Sequence, residues 1–294
     1  MKLTHGLVIE RQRRHLTIET SSGERIRCLS RNRGVQALVG DEVEWQRQTD
    51  GTCVVERVLD RRSTLTRSSG RGRREALAAN LTRLLVVLAA RPAPDWFLLD
   101  RYLLAAELMN IEALIVFNKV DLIAAPPALL NSYREIGYEV HHTSAKRRLG
   151  LDELKAAMQG HRSAMVGQSG VGKSSLINSL LGSQAQAVGS LSEKGKQGRH
   201  TTTASTLHRL SNGAELIDSP GVRGYAPFLE QPAELARGFK EFQPLLGQCR
   251  FQDCLHVAEP DCAIKQAVAA GRITARRYAS YLRLREAVAE LQAR

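Results

Sequence analysis

The first 65 residues alternate hydrophobic and polar side chains in short runs, a pattern that predicts strands. Turn residues such as SSG and TDG separate the runs, which carry β-branched side chains. The runs read HGLVIE, HLTIET, ERIRCL, DEVEWQ and CVVERVL. Because no helical pattern lies between them, we predict an all-β domain over residues 1–65, a small closed barrel with the OB-fold as first choice.

Apolar strand patterns and amphipathic helix patterns alternate from Asn80 onward. The strand patterns read LTRLLVVLAA, IEALIVFNK, YEVHHTSA, SAMVG, ASTLHRL and AELIDS, and the helix patterns read DWFLLDRYLLAAELMN, PALLNSYREIG, LDELKAAMQ and SSLINSLL. This alternation predicts an α/β domain over residues 77–228, with a parallel sheet covered on both faces. The preceding residues 66–76, RSSGRGRREAL, are polar and typical of a flexible linker.

The last part of the chain, residues 229–294, predicts a helical domain. Helical stretches such as PAELARGFKEF occur in a connector, and two helices follow around Gly271, the second with Thr274 as its N-cap. Arginines give this tail a positive face that either contacts phosphates or is only solvated. They are Arg272, Arg276, Arg277, Arg283 and Arg285.

The stretch GQSGVGKSS fits the pattern G-x-x-x-x-G-K-[ST] of a phosphate-binding loop, or P-loop. It follows an apolar strand and precedes a helix, the order that this motif requires. Glycines let the backbone N–H groups approach a phosphate, and the helix N-terminus adds positive charge. We expect Lys173 to reach the β- and γ-phosphates and Ser174 to bind Mg²⁺. The motif is Gly167, Gln168, Ser169, Gly170, Val171, Gly172, Lys173, Ser174 and Ser175.

Two short motifs at predicted strand ends indicate guanine recognition. In Asn118-Lys119-Val120-Asp121, the Asp121 carboxylate can accept hydrogen bonds from N1–H and the 2-amine, which adenine lacks. Asn118 can bind the base and tie its loop to the P-loop, and the Lys119 stem can cover the ring. Just downstream, Ser144 and Ala145 lie in TSAK, where the Ala145 N–H would meet guanine O6. Together with the P-loop, these motifs predict that the protein binds GTP.

Another strand end, Asp218-Ser219-Pro220-Gly221, predicts the magnesium and γ-phosphate side of the site. Asp218 would hold Mg²⁺ through water, and the Gly221 N–H would meet the γ-phosphate. The Gly-rich segment 189–203 lies between and indicates a switch loop, with Thr202 completing the Mg²⁺ coordination. A plain solvated loop is the alternative for that segment.

The motifs stand in an unusual order, because the guanine motifs precede the P-loop. The same sheet can form if the former termini are joined and the chain is cut at an exposed loop. We therefore predict a circularly permuted GTPase domain. Val222 follows Gly221 where many GTPases place a water-orienting glutamine, so we expect slow unaided hydrolysis. His200 is our candidate for orienting the water, the alternative being a histidine without that role.

Cysteines are concentrated near the C-terminus in the spacing C-x₄-C-x-H-x₅-C. Three thiolates and one imidazole complete a tetrahedral Zn²⁺ site without an open position, which favours a structural role over a catalytic one. The ligands would be Cys249, Cys254, His256 and Cys262. Buried free cysteines are the alternative, and a metabolic or RNA-modifying enzyme with catalytic zinc is the competing functional hypothesis.

The net charge of +12 indicates a polyanionic partner, most often a nucleic acid. The predicted barrel is rich in arginine and either binds nucleic acid or serves as a packing module. The chain shows no secretory signal, and its longest apolar run, residues 84–90, is too short to span a bilayer. We expect a cytoplasmic monomer without a membrane partner.

Taken in order, NKxD, TSAK, GQSGVGKSS, GRHTTT, DSPGVR and the Cys₃His spacing resemble the ribosome small-subunit-dependent GTPase A family (RsgA, also called YjeQ). The resemblance covers nearly the whole chain. It implies an OB domain, a circularly permuted GTPase domain and a zinc-binding C-terminal domain. It also implies a factor in late maturation of the 30S subunit that binds 16S rRNA and whose GTPase activity the subunit raises. Gly224-Tyr225 departs from the acidic residue and Phe more often found there.

Overall fold

The computed structural model describes residues 3–12, 15–30, 36–68, 74–182, 205–219 and 234–292. Five strands in the first part of the chain form a closed barrel in the order β1-β2-β3-β5-β4, which closes because β4 also pairs with β1. These strands are β1 (Thr4–Gln12), β2 (His15–Glu19), β3 (Arg25–Ser30), β4 (Glu42–Arg47) and β5 (Cys53–Val58). Alternate side chains such as Leu16 and Ile18 fill its core, so the predicted OB-type barrel is confirmed.

A hairpin lies where a flexible linker was expected. Strands β6 (Thr64–Ser68) and β7 (Arg74–Ala79) pair antiparallel, so both ends of the segment 66–76 have regular structure. The Asn80 side chain then accepts from the Arg62 N–H at 2.8 Å and donates to the Gly40 carbonyl at 3.0 Å. The expectation of an irregular linker was therefore wrong at these ends, because strand pairing and a buried amide hold them. The domain boundaries themselves stay predictions.

The central domain is a sheet in the order β10-β9-β8-β11-β13-β12. Its strands are β8 (Arg83–Ala89), β9 (Glu112–Asn118), β10 (Glu139–His142), β11 (Arg162–Val166), β12 (Ser205–Arg209) and β13 (Glu215–Asp218). The first five in that order run parallel, whereas β12 is antiparallel to β13, a departure from the all-parallel expectation. No helix separates β12 from β13, and a short connection joins strands only in antiparallel fashion.

Helices cover both faces of this sheet. They are α1 (Trp96–Leu108), α2 (Leu129–Ile136), α3 (Leu151–Ala157) and α4 (Lys173–Leu181). One apolar core contains residues of α1 and α2, and a second contains residues of α3 and α4. None of the helices in the described part of the chain combines the length and apolar character that crossing a bilayer requires.

The sheet continues into the barrel through β12, which pairs antiparallel with β1. The register places Glu10 opposite Thr206 and Arg11 opposite Ser205. Thr206 is also opposite Asp218 on β13, so one residue of β12 lies between the barrel and the strand end that carries Asp218. The two domains therefore share one hydrogen-bonded sheet.

The C-terminal domain contains helices α5 (Ala263–Ala269) and α6 (Ala275–Gln292). The Arg277 N–H donates to the Thr274 hydroxyl at 3.3 Å, which confirms Thr274 as the cap of α6. Short 3₁₀ helices at Leu235–Gly238 and Gln243–Leu245 stand where longer helical stretches were expected. Stacked aromatic rings of Phe239 and Phe242, 4.9 Å apart, form part of the core under α6.

Two of the five tail arginines, Arg276 and Arg277, bind a buried carboxylate and do not contribute to the positive face that the sequence suggested. Arg277 is 1% exposed and pairs with Asp100 on α1 and with Glu241. Arg276 donates to the same Asp100 carboxylate at 2.7 Å. Burial alone would raise the pKa of Asp100, but the two guanidinium groups outweigh it and hold that pKa below its usual range.

We expect Asp100→Ala to destabilise the protein by about 3–5 kcal/mol, because it leaves Arg277 buried without this partner. The measurement is urea unfolding followed by fluorescence of Trp96, which stacks on Tyr133 beside the network, in a Trp45→Phe background. The control is Glu42→Ala, which removes an exposed carboxylate paired with Arg62 and should cost less than about 1 kcal/mol. Equal losses in the two variants would contradict a stabilising role for the buried network.

Candidate functional site

The P-loop connects β11 to α4 at the edge of the sheet where the parallel strands end. Gly167 has φ +142°, and a Cβ there would lie 2.2 Å from the Val87 carbonyl oxygen on the neighbouring strand. Gly172 has φ +97°, and a Cβ there would lie 2.5 Å from the Asn118 amide nitrogen. Only glycine fits both positions, because each combines a left-handed backbone with a close approach. The loop is thus pressed against the strands that carry the other motifs.

Lys173, the first residue of α4, curls back over this loop. Its ammonium group donates to the carbonyls of Gly167 at 2.7 Å and Gln168 at 2.8 Å, and the side chain is buried. The lysine charge therefore lies within the curve of the P-loop, together with backbone N–H groups at the N-terminus of α4. A phosphate in the loop would compete with the two carbonyls for this ammonium group.

Asn118 joins the NKxD loop to the P-loop, as the sequence predicted. Its amide nitrogen donates to the Val171 carbonyl at 2.9 Å. Its oxygen accepts from the Thr143 hydroxyl and the Ala145 N–H, each at 3.3 Å. One buried amide of the NKxD loop therefore contacts two further loops, TSAK and the P-loop, and joins all three. The Ala145 N–H, expected to face guanine O6, bonds to Asn118 in this structure.

The two neighbouring motif side chains lie at the same place. Lys119 has a left-handed backbone and donates from its ammonium group to the carbonyls of Gly170 at 2.6 Å and Arg91 at 2.7 Å. Asp121 is exposed and accepts a hydrogen bond from the buried Ser144 hydroxyl, which lowers the pKa of the carboxylate. Asp121 is therefore ionised at neutral pH, with an acceptor oriented by Ser144 and open to a ligand.

The expected magnesium side of the site is partly described. Ser174 is the second residue of α4, and Asp218 is the buried last residue of β13. The Ser205 hydroxyl, at the start of β12, donates to the Ser219 hydroxyl at 2.8 Å. The expected site residues His200, Thr202 and Gly221, and Val222 beside them, lie outside the described residues.

The remaining P-loop positions differ in what they expose. Val171 is buried in the core between the sheet and α4, so its carbonyl rather than its side chain serves the site. Ser169 and Ser175 are exposed, and Gln168 is half-buried. Val120 begins a 3₁₀ turn, and its N–H donates to the Thr143 carbonyl at 3.1 Å, which adds a second tie between NKxD and TSAK.

Sequence reasoning missed two contacts from the segment around α1. The Arg91 carbonyl receives Lys119, and the hydroxyl of Tyr102 on α1 hydrogen-bonds with the Gly167 backbone. Burial raises the pKa of Tyr102 to about 12, so its hydroxyl stays protonated. The sequence did offer one signal for the second contact, a tyrosine on the apolar stripe of a helix. A tyrosine buried in this way needs a hydrogen-bond partner for its hydroxyl.

A second cluster lies in the C-terminal domain, and the structure brings together all four predicted metal ligands. One potential ligand atom from each of Cys249, Cys254, His256 and Cys262 lies within 4.8 Å of the others. The His256 Nδ1 atom is 3.5 Å from the sulfur atoms of Cys249 and Cys262. Burial lowers the pKa of His256, which favours the neutral imidazole that a metal binds. Three sulfurs and one nitrogen suit a tetrahedral metal.

The loop that carries these ligands is fixed both from within and by α6. Glu259 accepts from the N–H groups of Leu255 at 2.7 Å and Val257 at 2.9 Å. Tyr278 donates to the His256 carbonyl at 2.8 Å, and Tyr281 donates to the Leu255 carbonyl at 2.7 Å, both from α6. The cluster is therefore preformed, with its loop oriented by a helix of the same domain.

Comparisons with known proteins agree with this architecture. The model of the RsgA GTPase family matches residues 58–226. The Azotobacter vinelandii protein named small ribosomal subunit biogenesis GTPase RsgA is 43% identical, over 94% of this chain and 83% of its own length. A Haemophilus influenzae protein of the same name is 39% identical, over 97% of this chain and 85% of its own length.

Two solved structures have the same architecture. YjeQ from Thermotoga maritima has a TM-score of 0.76 and 32% identity, with 98% of this chain and 99% of that one covered. YloQ, described as a circularly permuted GTPase, has a TM-score of 0.77 and 25% identity, with 98% of this chain and 96% of that one covered. With the permuted motifs converging on one sheet edge, these matches show that the chain belongs to the RsgA family of circularly permuted GTPases.

Proposed function

We propose that this GTPase acts in biogenesis of the small ribosomal subunit, as the names of its relatives say of those proteins. In this proposal it binds 16S rRNA in the late 30S particle, the particle stimulates GTP hydrolysis, and hydrolysis releases the protein. The observation that carries the proposal is the convergence of NKxD, TSAK and the P-loop around Asn118. That convergence supports a guanine-nucleotide switch, in which two nucleotide states can control binding to a partner.

The proposed nucleotide contacts follow from the loop geometry. Asp121 reads the guanine N1–H and 2-amine, and Lys119 flanks the base. The P-loop N–H groups and Lys173 hold the phosphates, and Gly221 meets the γ-phosphate. The full set is Asn118, Lys119, Val120, Asp121, Ser144, Ala145, Gly167, Gln168, Ser169, Gly170, Val171, Gly172, Lys173, Ser174, Ser175 and Gly221.

Mg²⁺ would accompany GTP, held by Ser174 and Thr202 and, through water, by Asp218. When bound, the ion neutralises charge on the phosphate oxygens. Lys173 stabilises charge on the same oxygens as the γ-phosphate departs. His200 is proposed to orient the attacking water, because Val222 offers no hydrogen-bonding group at the position after Gly221. Partner-driven ordering of the segment 189–203 would then raise turnover without an arginine finger.

The rRNA contacts are assigned to the barrel rather than to α6. Arg276 and Arg277 already bind Asp100, so they are poorly placed to neutralise phosphates. On the barrel, Arg25 keeps 70% of its side chain exposed, and its nearest carboxylate oxygen, on Glu19, is 3.9 Å away. An exposed cation that lacks a tight partner is available to a polyanion.

We assign the Cys₃His cluster to one structural Zn²⁺ per chain. Thiolates and imidazole in a closed set of four suit Zn²⁺ better than Mg²⁺ or Ca²⁺, which prefer oxygen ligands. A closed set leaves no position for a substrate or water, so the ion would hold the loop against α6 rather than catalyse a reaction. The proposed partners are thus the 30S subunit, its 16S rRNA and GTP or GDP, with a monomeric chain.

The variant Asp121→Asn tests guanine recognition. We expect GTP affinity to fall by about 100-fold, because charged hydrogen bonds worth roughly 3 kcal/mol are lost. Affinity for xanthosine triphosphate should rise, since the new amide N–H can donate to the oxygen that replaces the 2-amine. Titration calorimetry with each triphosphate and Mg²⁺ measures both. Asp152→Asn, an exposed carboxylate on α3, is the control and should bind GTP like the wild type.

GTP turnover with and without purified small subunits tests the partner. We expect the subunits to raise phosphate release by the wild-type protein. His200→Ala should keep GTP affinity and lose that increase, because the ordered loop then carries no water-orienting group. His141→Ala, on β10, is the matched control and should be stimulated like the wild type. Subunits that leave wild-type turnover unchanged would contradict the proposed partner, and a stimulated His200→Ala would remove His200 from the mechanism.

Metal analysis of the purified chain tests the zinc assignment. We expect one zinc per chain, and we expect Cys262→Ser to lose it and to lower the unfolding temperature of the C-terminal domain. Cys28→Ser changes another buried cysteine, in the barrel, and should retain the metal. A wild-type protein that holds no zinc, or a Cys262→Ser variant that keeps its full complement, would contradict the assignment.

A further inference from the structure

Helix α1 has two buried faces that belong to different domains. Leu99, Tyr102 and Leu103 pack into the core beneath the GTPase sheet. The other face follows the spacing i, i+3, i+7, i+10 and contacts the C-terminal domain. Its members are Phe97, Asp100, Leu104 and Glu107. Residues 100 and 102 point to nearly opposite sides, because two helical steps rotate by about 200°.

The first face contacts the nucleotide loop directly. The N–H of Gly167, the first P-loop residue, donates to the Tyr102 hydroxyl oxygen, and Tyr102 is only 2% exposed. The carbonyl of the same glycine accepts from Lys173 at 2.7 Å. A phosphate that binds Lys173 would remove the hydrogen bond from this carbonyl. The favoured position of the Gly167 backbone would then change. The buried tyrosine ring cannot follow such a change without moving α1.

The segment that leads into α1 contacts the base-binding motif. The Arg91 carbonyl accepts from Lys119, which also donates to Gly170 in the P-loop. The Asp95 side chain caps α1 by accepting from the Leu98 N–H at 2.9 Å. The segment before α1 and the middle of the helix are therefore each attached to a nucleotide-binding loop.

The second face is fixed to α6 and the neighbouring turn by close contacts. Asp100, which is fully buried, accepts from Arg276, Arg277 and Ser280, all on α6. A Cβ on Gly238 would lie 2.6 Å from Leu104, so the backbone there touches α1. A network of buried charges with several donors has one favourable geometry, and a displacement of α1 breaks it rather than stretching it.

We propose that α1 couples the P-loop to the C-terminal domain, with Tyr102 as the positioning residue for Gly167 and Asp100 as the residue that holds α6. A change at the phosphate loop then alters how firmly α6 is docked. By thermodynamic reciprocity, a partner that displaces the C-terminal domain alters nucleotide affinity. This coupling requires nucleotide binding alone and is independent of which particle the protein serves.

Hydrogen exchange of the full-length, metal-loaded protein tests the coupling. Amides of α6 are followed with and without a non-hydrolysable GTP analogue and Mg²⁺, at concentrations that saturate every variant. We expect the analogue to change wild-type exchange in α6 by about fivefold or more, the low end of typical coupling factors. Tyr102→Phe removes only the hydroxyl and should abolish most of that change while it still binds the analogue.

Two further variants keep the outcome decisive. Ser63→Ala removes another buried hydroxyl, which donates to the Leu81 carbonyl before the GTPase sheet, and should respond like the wild type. Ser280→Ala removes one donor to Asp100 at the opposite face and should reduce the response as Tyr102→Phe does. Wild-type α6 exchange that is insensitive to the analogue overturns the proposal. A full response in Tyr102→Phe, or an equal loss in Ser63→Ala, overturns the role of Tyr102.

Discussion

The buried amide of Asn118 is the constraint on which the nucleotide site depends. It donates to the P-loop through Val171 and accepts from Thr143 and Ala145, so three chain segments meet at one side chain. Asn118 is 1% exposed, and a buried amide that lost these partners would incur the cost of its desolvation. In a permuted chain the P-loop lies about 50 residues after NKxD. The hydrogen bonds of the Asn118 side chain therefore hold together loops that are distant in the sequence.

Permutation also decides what is attached to the switch side of the site. Thr206 is opposite Asp218 on one side and opposite Glu10 of the barrel on the other. The barrel thus adds strands to the edge of the sheet next to the proposed magnesium ligand. The C-terminal domain follows the segment after Asp218 in the chain and packs on α1. The barrel consequently contacts β12, and the C-terminal domain contacts α1, and both elements adjoin residues proposed to bind the phosphates or Mg²⁺. Such an arrangement suits a protein whose nucleotide state affects two flanking domains.

Local signals in the sequence predicted the barrel strands, the sheet strands, the P-loop and the metal cluster, because each depends on residues close together in the chain. The linker and the positive face of the tail were different. Whether Arg277 is solvated depends on Asp100, which lies 177 positions away and carries no motif. The pairing of β6 with β7 likewise joins residues on either side of a Ser/Gly/Arg-rich stretch whose composition resembles that of a linker. Tyr102 was missed for the same reason, since its partner is a backbone group of another element.

The chemistry of the α1–α6 contact follows from the need for one docking geometry. An apolar contact between two helices tolerates rotation and sliding, whereas Asp100 accepts from three donors at fixed positions on α6. Arg277 extends the network to Glu241, so a second segment of the C-terminal domain is held in the same geometry. A buried ionic network of this kind contributes less net stability than its bonds suggest, because every charge has lost its water. What it supplies is discrimination between docked and displaced arrangements. A helix that couples a distant loop to another domain needs such a discriminating contact. On α1 this contact lies on the face opposite the P-loop.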